Sequence, residues 1–148
     1  MPPKPALVAR LSRENEILAR YFPSFRWKRS GNRLCIEGEV RTNSGNAYVL
    51  RVELPADFPN SAPKMYVARP KPLCGRHGFD IARIGANPSM HTLDSKEGAV
   101  CICHFHPDRW GPEQTLYKVV LKGRIWLEAF EGHLATGLPL DAYLSHQK

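Results

Sequence analysis

The stretch from Met90 to Pro112, M-H-T-L-D-S-K-E-G-A-V-C-I-C-H-F-H-P-D-R-W-G-P, gathers two of the chain's four cysteines and three of its six histidines. A thiol is a natural acyl carrier, because a carboxyl group held as a thioester stays reactive toward amines. Free cysteine has a pKa of about 8.5, so only a few per cent is thiolate at neutral pH unless the site helps. Cys101 is the candidate nucleophile. His91, ten residues upstream, and His104 and His106, just downstream, are candidates to help by charge or by taking a proton. Cys103 would share a side with Cys101 if the segment is extended, as a structural residue or as a second thiol able to trap Cys101 in a disulfide. Asp94 and Asp108 either orient an incoming amine or are simply solvated.

Each of these residues has a plainer reading. Free cysteines are among the most buried residues, so Cys101 could be a small core hydrophobe. His91 could bond backbone within its loop, and His104 and His106 could be surface residues. A different chemistry is open to the same atoms: Cys74, His77, Cys101 and Cys103 offer the sulfur and nitrogen of a tetrahedral zinc site. Against it, Cys-x-Cys is tighter than the usual gap between zinc ligands, and the two pairs are far from a standard ribbon.

The elements around this stretch set the architecture. At 148 residues the chain predicts one domain, spanning residues 1–148. No apolar run is long enough for a membrane span, and Met-Pro-Pro-Lys-Pro lacks a signal-peptide core, so the expected location is cytoplasmic. Four scattered cysteines do not make a disulfide scaffold. The net charge of +7 raises nucleic acid as a partner. Its early cluster, from Arg10 to Arg33, alternates with acids and apolars, and a solvated basic face or an acidic protein partner is the better reading.

Leu7, Leu11, Leu18 and Phe22 stripe a helix over Ala6–Phe22 between Pro5 and Pro23, whose other face, with Arg10 and Glu14, is wet or docks a partner. Strands are expected at Phe25–Arg29, Leu34–Val40, Tyr48–Leu54 and Lys64–Ala68, with a hairpin at Asn43-Ser44-Gly45-Asn46. Tyr48, Leu50, Val52 and Leu54 share one side, and Cys35 reads as a small buried hydrophobe. From Arg69 to Gly98 no periodicity stands out, which predicts a long functional loop. Leu116, Val119, Val120, Gly123, Trp126, Leu127 and Phe130 predict a helix over Glu113–Glu131, ended by Gly132. A short terminal helix is expected within Leu138–Leu144. The fold class is α+β: N-terminal helix, four-stranded antiparallel meander, long active-site loop, C-terminal helices.

That order, with several local motifs, resembles the ubiquitin-conjugating enzymes. The segment Tyr48 to Met65 is similar to their third strand and proline-rich turn, and G-A-V-C-I to the segment around their catalytic cysteine. His91 stands ten residues upstream, as their His-Pro-Asn histidine does, and Trp110-x-Pro112 with Thr115-Leu116 matches the lead into their next helix. The resemblance implies Cys101 and His91 as catalytic residues, with no cofactor or metal. It also implies a partner protein, loaded through its C-terminal carboxylate and passed to an amine, with an activating enzyme upstream. One departure stands out: His-Pro-Asn is here His91-Thr92-Leu93, so the amide credited with steadying the oxyanion is missing. This loss and the Cys-His-Phe-His run resemble the divergent bacterial branch in CBASS antiviral operons. There the partner would be a ubiquitin-like protein or a cGAS-like nucleotidyltransferase. A non-catalytic domain that binds ubiquitin-like proteins is the remaining alternative; such variants generally lack the cysteine.

Overall fold

Two α-helices and a sheet, packed through one face and joined in part by short 3₁₀ turns, make up this computed structural model, which describes residues 4–104 and 109–144 apart from the side chain of Ser30. Helix α1 spans Pro5–Tyr21 and helix α2 spans Leu116–Thr136. The strands are β1 Arg26–Ser30, β2 Arg33–Arg41, β3 Ala47–Glu53, β4 Lys64–Arg69, β5 Thr92–Lys96 and β6 Ala99–Ile102. They form one antiparallel sheet in the order β1-β2-β3-β4-β6-β5. The α+β class and the meander stand, but the sheet has six strands where the sequence predicted four.

The two additional strands come out of the region expected to be one long loop. Three single-turn 3₁₀ helices, Arg76–Gly78, Ile81–Ile84 and Pro88–Met90, occupy its middle, and a β-hairpin closes it. Glu97 (φ 53°) and Gly98 (φ 80°) join β5 to β6, and Lys96 pairs with Ala99 across them. A two-residue connection with both φ positive matches the twist of the flanking strands, the reason x-Gly pairs favour tight hairpins. The cue was Glu97-Gly98 between T-L-D-S-K and A-V-C-I. It was weak because glutamate rarely takes positive φ.

Alternation along the strands divides the sheet into two faces. Ile36, Leu50, Val52, Met65, Val67, Val100 and Ile102 form the inner face and are at most 1% exposed. Helix α2 lies against them with Leu116, Val119, Val120, Trp126, Leu127 and Phe130, the stripe its periodicity predicted. Gly123 sits at the closest approach, where an added Cβ would lie 2.6 Å from the Met65 sulfur and 2.7 Å from Leu50 Cδ1. The indole of Trp126 stacks on Phe130 and donates to the Met90 carbonyl at 3.0 Å. Glu131 accepts from the Tyr48 hydroxyl and the Asn46 amide, both at 2.8 Å, so this end of α2 is stitched to the β2–β3 hairpin.

The boundaries of α2 differ from the expected ones for local reasons. It starts at Leu116 rather than Glu113 because Thr115 is the N-cap, its hydroxyl accepting from the Lys118 N–H at 3.1 Å. It runs through Gly132, which packs closely against the Tyr143 ring, and ends at Gly137 in the left-handed region (φ 79°). The terminal helix is a 3₁₀ turn, Leu140–Ala142.

Helix α1 corrects another expectation. Glu14, placed on the face expected to be wet or to dock a partner, is 1% exposed. Its carboxylate accepts from the Leu116 N–H at 2.9 Å and pairs with Arg10 Nε at 2.7 Å. Arg10 also donates to the carbonyls of Pro112 and Gln114, and its guanidinium lies over the Phe58 ring. One ion pair thus fastens α1 to the start of α2 and to the proline-rich turn after β3.

Candidate active site

Cys101 is on strand β6, not in a loop, and its side chain is on the outer face of the sheet. It is flanked by Tyr66 of β4 on one side and Leu93 of β5 on the other. With Tyr66 and Ala99 it forms a small cluster apart from the main core, and it is only 2% exposed. The plain reading of a buried thiol therefore describes this conformation, and an open, loop-borne sulfur does not. Burial pushes the thiol pKa up to about 11. Lys64 and a hydrogen bond from the Met65 backbone oppose the rise, and Cys103 and Glu53 add to it.

Charged side chains lie over the Tyr66 ring of this cluster. Glu53, 4% exposed, pairs with Arg51 at 3.2 Å and with Lys96 at 3.1 Å. The Arg51 guanidinium and the Lys96 ammonium both lie over the Tyr66 ring, 5.4 Å and 6.0 Å from its centroid. Burial, with the nearby Cys101 and Glu53, lifts the Tyr66 phenol to about 12, so it stays neutral. These residues were missed in the sequence. Arg51 and Glu53 read there as ordinary strand polars and Lys96 as part of the long loop, and only the register brings them near the cysteine.

Leu93 is the third residue of the His91-Thr92-Leu93 segment. It is directly opposite Cys101 on the edge strand and is 40% exposed. An apolar side chain with no donor therefore borders the sulfur. Asp94, the next residue, is exposed, and alternation turns it to the other side of the strand.

His91 immediately precedes β5 in the left-handed region (φ 54°). Its Nε2 pairs with Asp141 of the terminal 3₁₀ turn at 2.9 Å, and its carbonyl accepts from the Cys103 N–H at 2.9 Å. Its ring thus bonds a side chain of the C-terminal segment rather than backbone within its own loop, and ties the hairpin to that segment.

Beyond Ile102 the chain leaves the strand. Cys103 is partly exposed and borders a cavity of about 390 Å³ together with Ser61, Pro63, Leu93, Ile102 and Trp110. Burial raises the Cys103 thiol pKa, and the Lys122 charge from α2 opposes the rise. Trp110 donates to the Pro59 carbonyl at 2.9 Å, fixing this wall to the proline-rich turn. His104 lines the same cavity but is 7% exposed rather than a surface residue. Burial first, then Lys122, lowers its pKa to about 4 against a hydrogen bond with the Pro63 backbone, so at neutral pH it carries no charge. His106 and Asp108 lie outside the described residues.

The zinc arrangement is not formed. Among the described residues no group of three or more His, Cys, Asp or Glu is placed to hold a metal ion. Cys74 is exposed and bridges toward Asp80, and His77 is in the first 3₁₀ turn. Among the same residues no helix is long and apolar enough to cross a membrane.

Comparison with known proteins adds the family. No curated protein and no solved structure matches the chain. A family model described as type II CBASS E2 protein matches residues 14–139, from the buried glutamate of α1 to the turn after α2, with both thiols inside. By that match the chain belongs to the type II CBASS E2 family, proteins with an E2-like role in antiphage defence.

Proposed function

We propose that Cys101 takes the C-terminal carboxyl of a partner protein as a thioester and passes it to an amine. The partner is a ubiquitin-like protein or a cGAS-like nucleotidyltransferase, delivered by an activating enzyme. The observation that carries the reading is the position of Cys101 on the outer face of β6. Among the described residues it clusters there with Tyr66 and Ala99, apart from the main core, whereas the inner face is sealed by a whole helix. With a pKa of about 11 in the closed state, only about one sulfur in ten thousand is thiolate at pH 7. The closed form is therefore a resting state, and displacing the Tyr66–Arg51–Lys96 cover brings the thiol back toward its ordinary acidity.

The residues around it divide the labour. Lys64 supplies positive charge that favours the thiolate and the oxyanion developing on the attacked carbonyl. Leu93 offers no hydrogen bond, and the loss of one oxyanion donor is worth about 3 kcal/mol, so this charge stands in for the missing amide. His91 acts by holding the hairpin to Asp141 rather than as a base.

The test is a reducible adduct. Wild-type protein mixed with activating enzyme and candidate partner should form a covalent conjugate on Cys101 that thiols release. Cys101→Ala should accumulate no conjugate on that position and deliver none to an amine. A Cys101→Ala protein that still conjugates its target at the normal rate would remove the proposal.

A further inference from the structure

We infer that Cys103 is a second acyl-accepting thiol of this site, receiving the incoming acyl group in the cavity beside β6 and handing it to Cys101. The inference rests on the thioester reading above and adds a residue and a route to it. Cys101 is flanked by Tyr66 and Leu93, is only 2% exposed, and does not line the cavity that Cys103 borders. Cys103, two residues on, is partly exposed at the wall of a cavity of about 390 Å³. That volume suits a few residues of an extended peptide tail.

Other features fit that occupant. The walls from Pro63, Leu93, Ile102 and Trp110 are apolar, with polar atoms from Asn60 and Ser61 at the turn after β3. The Lys122 charge acts on the Cys103 sulfur, in the direction that favours thiolate. Leu93 belongs both to the cavity and to the cover of Cys101, so one edge-strand side chain separates the two thiols' environments.

The chemistry balances without a redox step. The Cys103 sulfur, having given up its proton, attacks the carbonyl carbon of a donor thioester. The bond from that carbon to the donor sulfur breaks, and the donor leaves as a thiol with the proton. When the cover opens, the Cys101 sulfur attacks the same carbon, and Cys103 is restored as a thiol by the proton Cys101 released.

The probe is a peptide ending in a mercaptoethanesulfonate thioester, with the acylated cysteine located by mass spectrometry at low pH. Cys101→Ala should become acylated at Cys103. Cys103→Ala should load Cys101 about tenfold more slowly than wild type, and the double variant should not load. In unaltered protein, iodoacetamide should modify Cys103 about tenfold faster than Cys101, a readout independent of how the variants fold. Cys103→Ala loading Cys101 at the wild-type rate, no adduct on Cys103 in Cys101→Ala, or equal alkylation of the two thiols would overturn the relay while leaving the thioester on Cys101 intact. A wild-type protein that loads neither thiol would overturn the relay and the thioester reading together.

Discussion

The two faces of the sheet bury side chains to the same depth by different means. Leu50, Val52 and Ile102 on the inner face and Tyr66 and Cys101 on the outer face are all at most 3% exposed. Inside, the cover is helix α2, whose removal would strip apolar area from every strand it crosses. Outside, the cover is a few long side chains, Arg51 and Lys96 laid over Tyr66 and paired with Glu53. The Lys96 end of this network is 45% exposed, and a pair open to solvent at one end contributes about 0.2–1 kcal/mol, so that edge opens at little expense. Equal burial therefore rests on a packed helix on one face and on a few long side chains on the other.

The largest effect should come from the inner face. Trp126→Ala should destabilise the protein by about 4 kcal/mol in urea unfolding, because it removes a stacked ring and a hydrogen-bonded indole from a packed interior. A loss below 1 kcal/mol would mean that α2 is not the rigid backing described.

The wall of the cavity should show an intermediate effect through pH. The folded-state pKa of His104 is depressed to about 4, so its contribution is present above the unfolded value of about 6.5 and is lost as pH falls toward 4. Between pH 8 and pH 5 the loss should be roughly 2 kcal/mol. Unfolding free energies measured at both pH values should show that drop in wild type and a flatter profile in His104→Gln.

The outer face should respond least in stability and most in reactivity. Lys96→Ala should lower stability by under about 1 kcal/mol while raising the alkylation rate of Cys101. A Lys96→Ala variant as destabilised as Trp126→Ala would erase the distinction between the faces.

Finally, alkylation of Cys101 in wild type should still rise about tenfold per pH unit from pH 8 to pH 10, as its raised pKa requires. The neutral thiol is the form favoured by folding. Its contribution is therefore full below about pH 8.5 and fades as pH climbs through 11. A plateau near pH 9 would show that the cover is already open in solution.

Much of the scaffold was legible because it is locally encoded. The three-and-four spacing from Leu116 to Phe130 and the alternation from Tyr48 to Leu54 each specify an element and its buried side. The β5–β6 hairpin was less legible, since its turn uses a glutamate at positive φ and its edge strand is mostly polar. Glu14 was misassigned because a charged residue reads as exposed until a partner 102 residues away, the Leu116 N–H, claims it.

By itself the sequence determined the α+β order, the helix stripes, the first hairpin and the candidate thiols with their spacing, all consequences of residue type and short-range period. Only the tertiary structure decided that Cys101 is covered, that Leu93 flanks it, and that Cys103 meets the cavity. Those outcomes depend on register between strands far apart in the chain and on where long side chains of neighbouring strands come to rest, and neither is written into the local pattern.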